Sequence, residues 1–218
     1  MHSIIPFLQS LSENNNRDWF TAHKKDYEKA QKELSSFLEI LIAELAKAEP
    51  ELTDLKPKDC LFRIYRDVRF SKNKDPYKTN MGAVIAPGGR KSKKAFYYLH
   101  LSPESCFLAG GQYVPEADKL KLIRQEIDYN LSDLEKIVAA PEFKKYFQGL
   151  DQEEKLKNAP KGYELDNPAL DYLKLKSFTV SHEFKANQIG KADFLNFCLD
   201  VYAAMRPFNG FLNQALDA

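Results

Sequence analysis

"CLFRIYRDVRF", residues 60–70, separates an all-helical chain from a mixed one. Alternate positions fall into two sets: Phe62, Ile64, Arg66, Val68 and Phe70 on one face of an extended chain, and Leu61, Arg63, Tyr65, Asp67 and Arg69 on the other. Upstream the period differs. From Phe20 through Tyr27, Leu34, Leu41 and Leu45, apolar residues recur every three or four positions. This stripe predicts one long helix after the asparagines at 14–16, ended by Glu49-Pro50. A shorter helix is expected over residues 4–11, with Ser3 near its cap, and a proline-bearing connector over 51–58.

Downstream, "TNMGAVIA" (79–86), "AFYYLHLS" (95–102) and "SCFLAGG" (105–111) read as further strands with short connections, which favours an antiparallel meander. Helical spacing returns at Pro115 and again from residue 131, with another turn at 141–147. Residues 148–168 are rich in loop formers; a short helix, the strand "SFTVSHEF" (177–184) and a helix over 191–205 follow. The expected fold class is α+β: a single domain of residues 1–218 with an antiparallel β-meander packed against several helices. Its parts are a helical segment (1–49), the meander (59–112) and a mainly helical remainder (115–218) with one short strand.

The 218 residues suffice for one well-cored domain, and 44% hydrophobic with 29% charged residues is ordinary for a globular protein. No apolar run approaches the ~20 residues that span a bilayer. The opening "MHSIIPFLQSLSENNNRDWF" has neither the basic lead nor the cleavage site of a secretory signal. Cys60, Cys106 and Cys198 are odd in number and widely spaced, which argues against a disulfide framework or a zinc site and leaves the cytoplasm as the expected compartment. No metal-ligand pattern, dinucleotide fingerprint or other cofactor motif is present.

The net charge of +1 hides a polarity. Residues 61–94 hold ten basic side chains against Asp67 and Asp75, a local +8 that leaves −7 for the remainder. Arg66 falls among apolar residues, so it needs either a carboxylate partner or a ligand anion. Asp67 lies two residues from Arg69, and their pairing would leave Arg63 uncommitted. Arg63, Arg66, Arg69 and Lys78 together form a candidate anion cradle, with Lys72 and Lys74 read as a solvated loop. "PGGRKSKK" (87–94) fails as a phosphate-binding P-loop, because Arg90 interrupts it and a strand follows; it reads as a flexible basic connection. His23 and His182 sit in apolar patterns and read as core histidines. Tyr98 and His100 share a strand face near the arginines, making His100 the candidate proton-transfer group.

The runs "NNNRDWFTAHKKDY" (14–27), "FRIYRDVRFSKNKDPYKTNMG" (62–82), "GGQY" (110–113) and "PKGY" (160–163) resemble a family of conserved hypothetical bacterial proteins, domain of unknown function 2461. The resemblance covers essentially the whole chain. It implies a single domain and brings no catalytic residue with it.

Three functional classes follow. In the first, a small phosphate- or carboxylate-bearing ligand binds Arg63, Arg66, Arg69 and Lys78 beside Tyr98 and His100. Nucleic acid is a special case, opposed by the −7 elsewhere. The second is a hydrolase or transferase for an anionic substrate, using His100. The third is a structural or interaction protein whose charges pair internally.

Overall fold

The computed structural model describes residues 1–217 and has the α+β architecture expected. Its strands are β1 (Met81–Ile85), β2 (Phe96–Leu101), β3 (Cys106–Gln112) and β4 (Phe178–Phe184), joined in the order β1-β2-β3-β4 as an antiparallel meander. The helices are α1 (Ile4–Glu13), α2 (Arg17–Ala22), α3 (Lys24–Ala46), α4 (Pro57–Cys60), α5 (Ala117–Tyr129), α6 (Leu131–Ala139), α7 (Pro141–Lys144), α8 (Leu170–Leu173) and α9 (Phe194–Asp217). Among the described residues, no helix is long and apolar enough to cross a membrane.

The chain divides into two compact units. The first comprises Met1–Lys91, Tyr98–Leu108 and Glu183–Leu199. Its core is the apolar stripe of α3 (Leu34, Leu38, Leu41, Leu45) with Ile4, Leu8 and Leu11 of α1. The long helix expected over 17–48 is in fact two, because His23 leaves helical geometry (φ −105°, ψ 21°). Its ring stacks on Trp19 at 4.0 Å, and its Nδ1 lies 2.9 Å from the Trp19 carbonyl. A local ring-on-ring contact thus overrides the continuous period.

The second unit comprises Ser92–Tyr97, Ala109–His182 and the chain from Asp200 onward. There α9 runs past its expected end at residue 205 and through Pro207. A proline inside a helix costs about 3 kcal/mol, but the turns beyond it bury Phe208, Phe211, Leu212 and Ala215. Asn209 Nδ2 donates to the Phe96 carbonyl (3.2 Å), and Asn213 Oδ1 accepts from the Ala95 amide (2.8 Å). Burial and these anchors outweigh the lost backbone bond.

Residues 60–70 form no regular strand, which corrects the register expected for Arg63, Arg66 and Arg69. Leu61 bridges Ala83 and Tyr65 bridges Tyr77, both antiparallel, with the Phe62, Arg66 and Lys78 amides donating to Gly82, Pro76 and Ile64 carbonyls. The segment folds back on residues 76–83 as expected, but the pairing is interrupted. Its alternation does not sort burial either: Ile64 is buried, whereas Phe62 is 41% and Phe70 96% exposed. Ile64 is covered while Phe62 and Phe70 of the same row are not, so the row does not act as one buried face.

Candidate anion-binding groove

A groove of about 480 Å³ opens in the first unit between α3, α4 and the start of the 61–80 segment. Arg63, Arg90, Lys58 and Lys32 line it, with Glu28 the sole carboxylate in the lining. Glu28 is itself drawn toward Lys24, 3.8 Å away. Arg63 makes no hydrogen bond or ion pair among the described residues; Asp67 feels its charge but is already held by Arg69.

Arg90 is fixed by neutral acceptors: its Nε donates to the Asp59 carbonyl (3.0 Å) and its Nη2 to the Lys58 carbonyl (3.3 Å). The connection at 87–94, read from sequence as flexible, is therefore tied to α4. Gly89 allows the approach. Its φ of +64° suits glycine, and a Cβ there would run into the Asp59 carbonyl. A guanidinium held by carbonyls is oriented without having its charge cancelled.

Lys78 lies beside this set, its ammonium 5.2 Å from the centre of the Phe62 ring. Burial, and then the like charges of Arg63 and Arg90, pull the ammonium below the ordinary lysine value. Burial and the neighbouring guanidinium charges therefore work against the protonated form of Lys78, which an anion would relieve.

The other two arginines are engaged elsewhere. Arg69 grips Asp67 with two bonds, Nε to Oδ1 at 2.9 Å and Nη2 to Oδ2 at 2.6 Å, the pairing that the sequence suggested. Arg66 is half-buried rather than enclosed. Its Nη2 donates to Ser71 Oγ (3.3 Å), and its Nη1 stands 3.9 Å from Asp75, whose side chain is 48% exposed. Neither arginine lines the groove.

On the open face of β2, Tyr98 lies across β1 because Gly82 leaves room; a Cβ at Gly82 would stand 2.6 Å from the phenol oxygen. Tyr98 OH is 3.0 Å and Asn80 Nδ2 3.5 Å from His100 Nδ1. The phenol and the amide both face Nδ1, and which ring nitrogen holds the proton depends on the tautomer. The imidazole stacks on Phe107 at 4.5 Å. Burial lowers the His100 pKa and pushes the Tyr98 phenol up to about 12. Phe62, edge-on to Tyr98 at 6.2 Å, links this patch to the groove.

Sequence reasoning singled out Arg63, which lines the groove, and Lys78, which lies beside it, but missed Arg90, Lys58 and Lys32 as groove residues. Arg90 already belonged to the +8 segment, and the preceding glycine pair was a usable sign of a docked turn. Lys32, on the solvent side of a helical stripe, gave no signal at all.

Fold and groove together define a small α+β protein with a predominantly basic cleft. The chain belongs to the DUF2461 family of conserved hypothetical proteins, whose family model matches residues 3–211. No curated protein and no solved structure matches it.

Proposed function

We propose that this protein binds a small phosphate- or carboxylate-bearing ligand in the groove of its first unit. One observation carries the reading: Arg63 and Arg90 line the same cleft and neither has a carboxylate partner. Cations gathered without counter-charge repel one another, so an anion that fits between them stabilises the folded state by mass action. Guanidinium groups suit the planar oxygens of phosphate or carboxylate. Lys78, Lys58 and Lys32 add charge at the rim, while Arg66 and Arg69 fit the alternative of internal pairing and take no part. Three buried thiols, Cys60, Cys106 and Cys198, accord with a reducing compartment such as the cytoplasm.

Thermal unfolding in phosphate, pyrophosphate and chloride at matched ionic strength tests the reading. Stabilisation specific to phosphates, lost in Arg63→Ala and in Arg90→Ala but kept in Arg69→Ala, is the expected pattern. An equal shift in all salts would reduce it to screening.

A second reading, a hydrolase or transferase acting on an anionic substrate, draws on His100 alone, whose ring is oriented by the Tyr98 and Asn80 contacts at Nδ1. It requires turnover that His100→Asn abolishes while ligand binding persists.

A further inference from the structure

Resting on that reading, we infer that the ligand is a nucleoside phosphate, its phosphate between Arg63 and Arg90 and its base against Phe62. The groove offers more than an inorganic anion can use. Its volume of about 480 Å³ lies within the range typical of organic ligand sites, roughly 300–1,000 Å³. Phe62 and Leu61 put apolar surface into a lining otherwise made of charged and polar groups. Phe62 is 41% exposed, apolar surface that a phosphate has no use for.

The ring is held in place for such a contact. The Phe62 amide donates to the Gly82 carbonyl (3.1 Å), and Tyr98 meets the ring edge-on. Lys78 stands over the ring, adding a positive charge beside the surface that would take an electron-rich base. Recognition of a base also needs polar groups for its edge. Gln31 lines both the groove and the narrow cleft behind Phe62, and its amide makes no hydrogen bond among the described residues. It therefore offers one acceptor and two donors. Ser35 and Ser36 line the same groove from the next turn of α3, and their hydroxyls likewise make no hydrogen bond among the described residues, which suits the hydroxyls of a sugar.

A single nucleotide fits better than a strand. Continuous binding of single-stranded nucleic acid needs successive aromatic platforms along a basic track. Here one ring lines the groove, Glu28 lines it too, and the chain outside residues 61–94 carries −7.

Calorimetric titration of the whole protein with pyrophosphate, ribose 5-phosphate, the common nucleoside monophosphates and a twelve-nucleotide DNA strand tests the inference. At least one nucleoside monophosphate is expected to bind about ten-fold more tightly than ribose 5-phosphate, the worth of one stacked base. Phe62→Ala should erase that gap and leave ribose 5-phosphate binding unchanged. Phe62→Leu, which keeps the apolar bulk, should do the same, and Phe62→Trp should preserve the gap. Equal affinity for ribose 5-phosphate and all nucleotides would overturn the inference while the anion groove stands. Failure of every phosphate to bind would overturn the inference together with the phosphate form of the reading it rests on. Affinity that resides only in the DNA strand would replace the nucleotide with nucleic acid.

Discussion

The loop at 66–75 and the groove hold cations of the same kind, drawn partly from the same stretch of sequence, yet they treat the charge in opposite ways. In the loop, Arg69 is clasped by Asp67 and Arg66 stands near Asp75, so each arginine meets an acid within nine residues of itself. In the groove, Arg90 is held by two backbone carbonyls and Arg63 by no polar group among the described residues. A local partner neutralises a charge, whereas a carbonyl only aims it. Charge density along the chain therefore says little about which cations remain available. What decides is whether an acid lies within reach in the fold.

The strongest way to break this contrast is at Gly89, on which the aiming of Arg90 depends. Gly89→Ala must hold alanine at φ +64° and move the Asp59 carbonyl. Backbone strain with overpacking is expected to cost about 2–4 kcal/mol, read from denaturant unfolding. Unchanged stability would mean that the 87–94 connection is not firmly docked on α4.

Next come the groove arginines themselves. Arg63→Ala or Arg90→Ala should weaken phosphate binding by about ten-fold or more, since a charged hydrogen bond is worth about 1.5–3 kcal/mol. Titration calorimetry of each variant gives the value, and undiminished binding would remove that residue from the site.

A smaller effect concerns pH. His100 has a folded pKa below its unfolded value of about 6.5, so above that pH the neutral ring is shared by both states and stability is full. As pH falls through 6.5 the unfolded chain takes up the proton first and stability declines, levelling off below the folded pKa. Melting temperatures from pH 8 to pH 5 should show this decline, and His100→Asn should flatten it.

The smallest effects belong to the loop. Arg66→Ala should cost less than about 1 kcal/mol, because its partner is half-exposed and 3.9 Å distant. Loss of a partner from a buried pair would instead cost about 3–5 kcal/mol. Arg69→Ala should leave the melting temperature unchanged and phosphate binding intact. A fall in binding in either variant would extend the groove into the loop and dissolve the distinction between the two regions.

Much of the fold was legible. Alternation in β2, with Tyr97, Leu99 and Leu101 inside and Tyr98 and His100 half-exposed, follows the period of two read from residues 95–102. The stripe of α3 was visible for the same reason: burial on one side of a regular element imposes a period on the sequence. Residues 60–70 misled because alternation reports burial only where another layer lies against the face, and Phe70 has none.

The candidate groove was half legible. Arg63 and Lys78 stood out by local charge, and the Asp67–Arg69 pair could be foreseen because two residues of chain fix its geometry. Lys32 and Lys58 could not be found this way, and Arg90 stood in the basic segment without any sign of its neighbours, since the three reach one cleft from elements distant in sequence. The sequence by itself determined the α+β class, the meander and the local ion pair, because each depends on period or proximity along the chain. Only the tertiary structure decided which arginines lack a counter-charge, because that depends on which carbonyl or carboxylate each guanidinium meets in the fold.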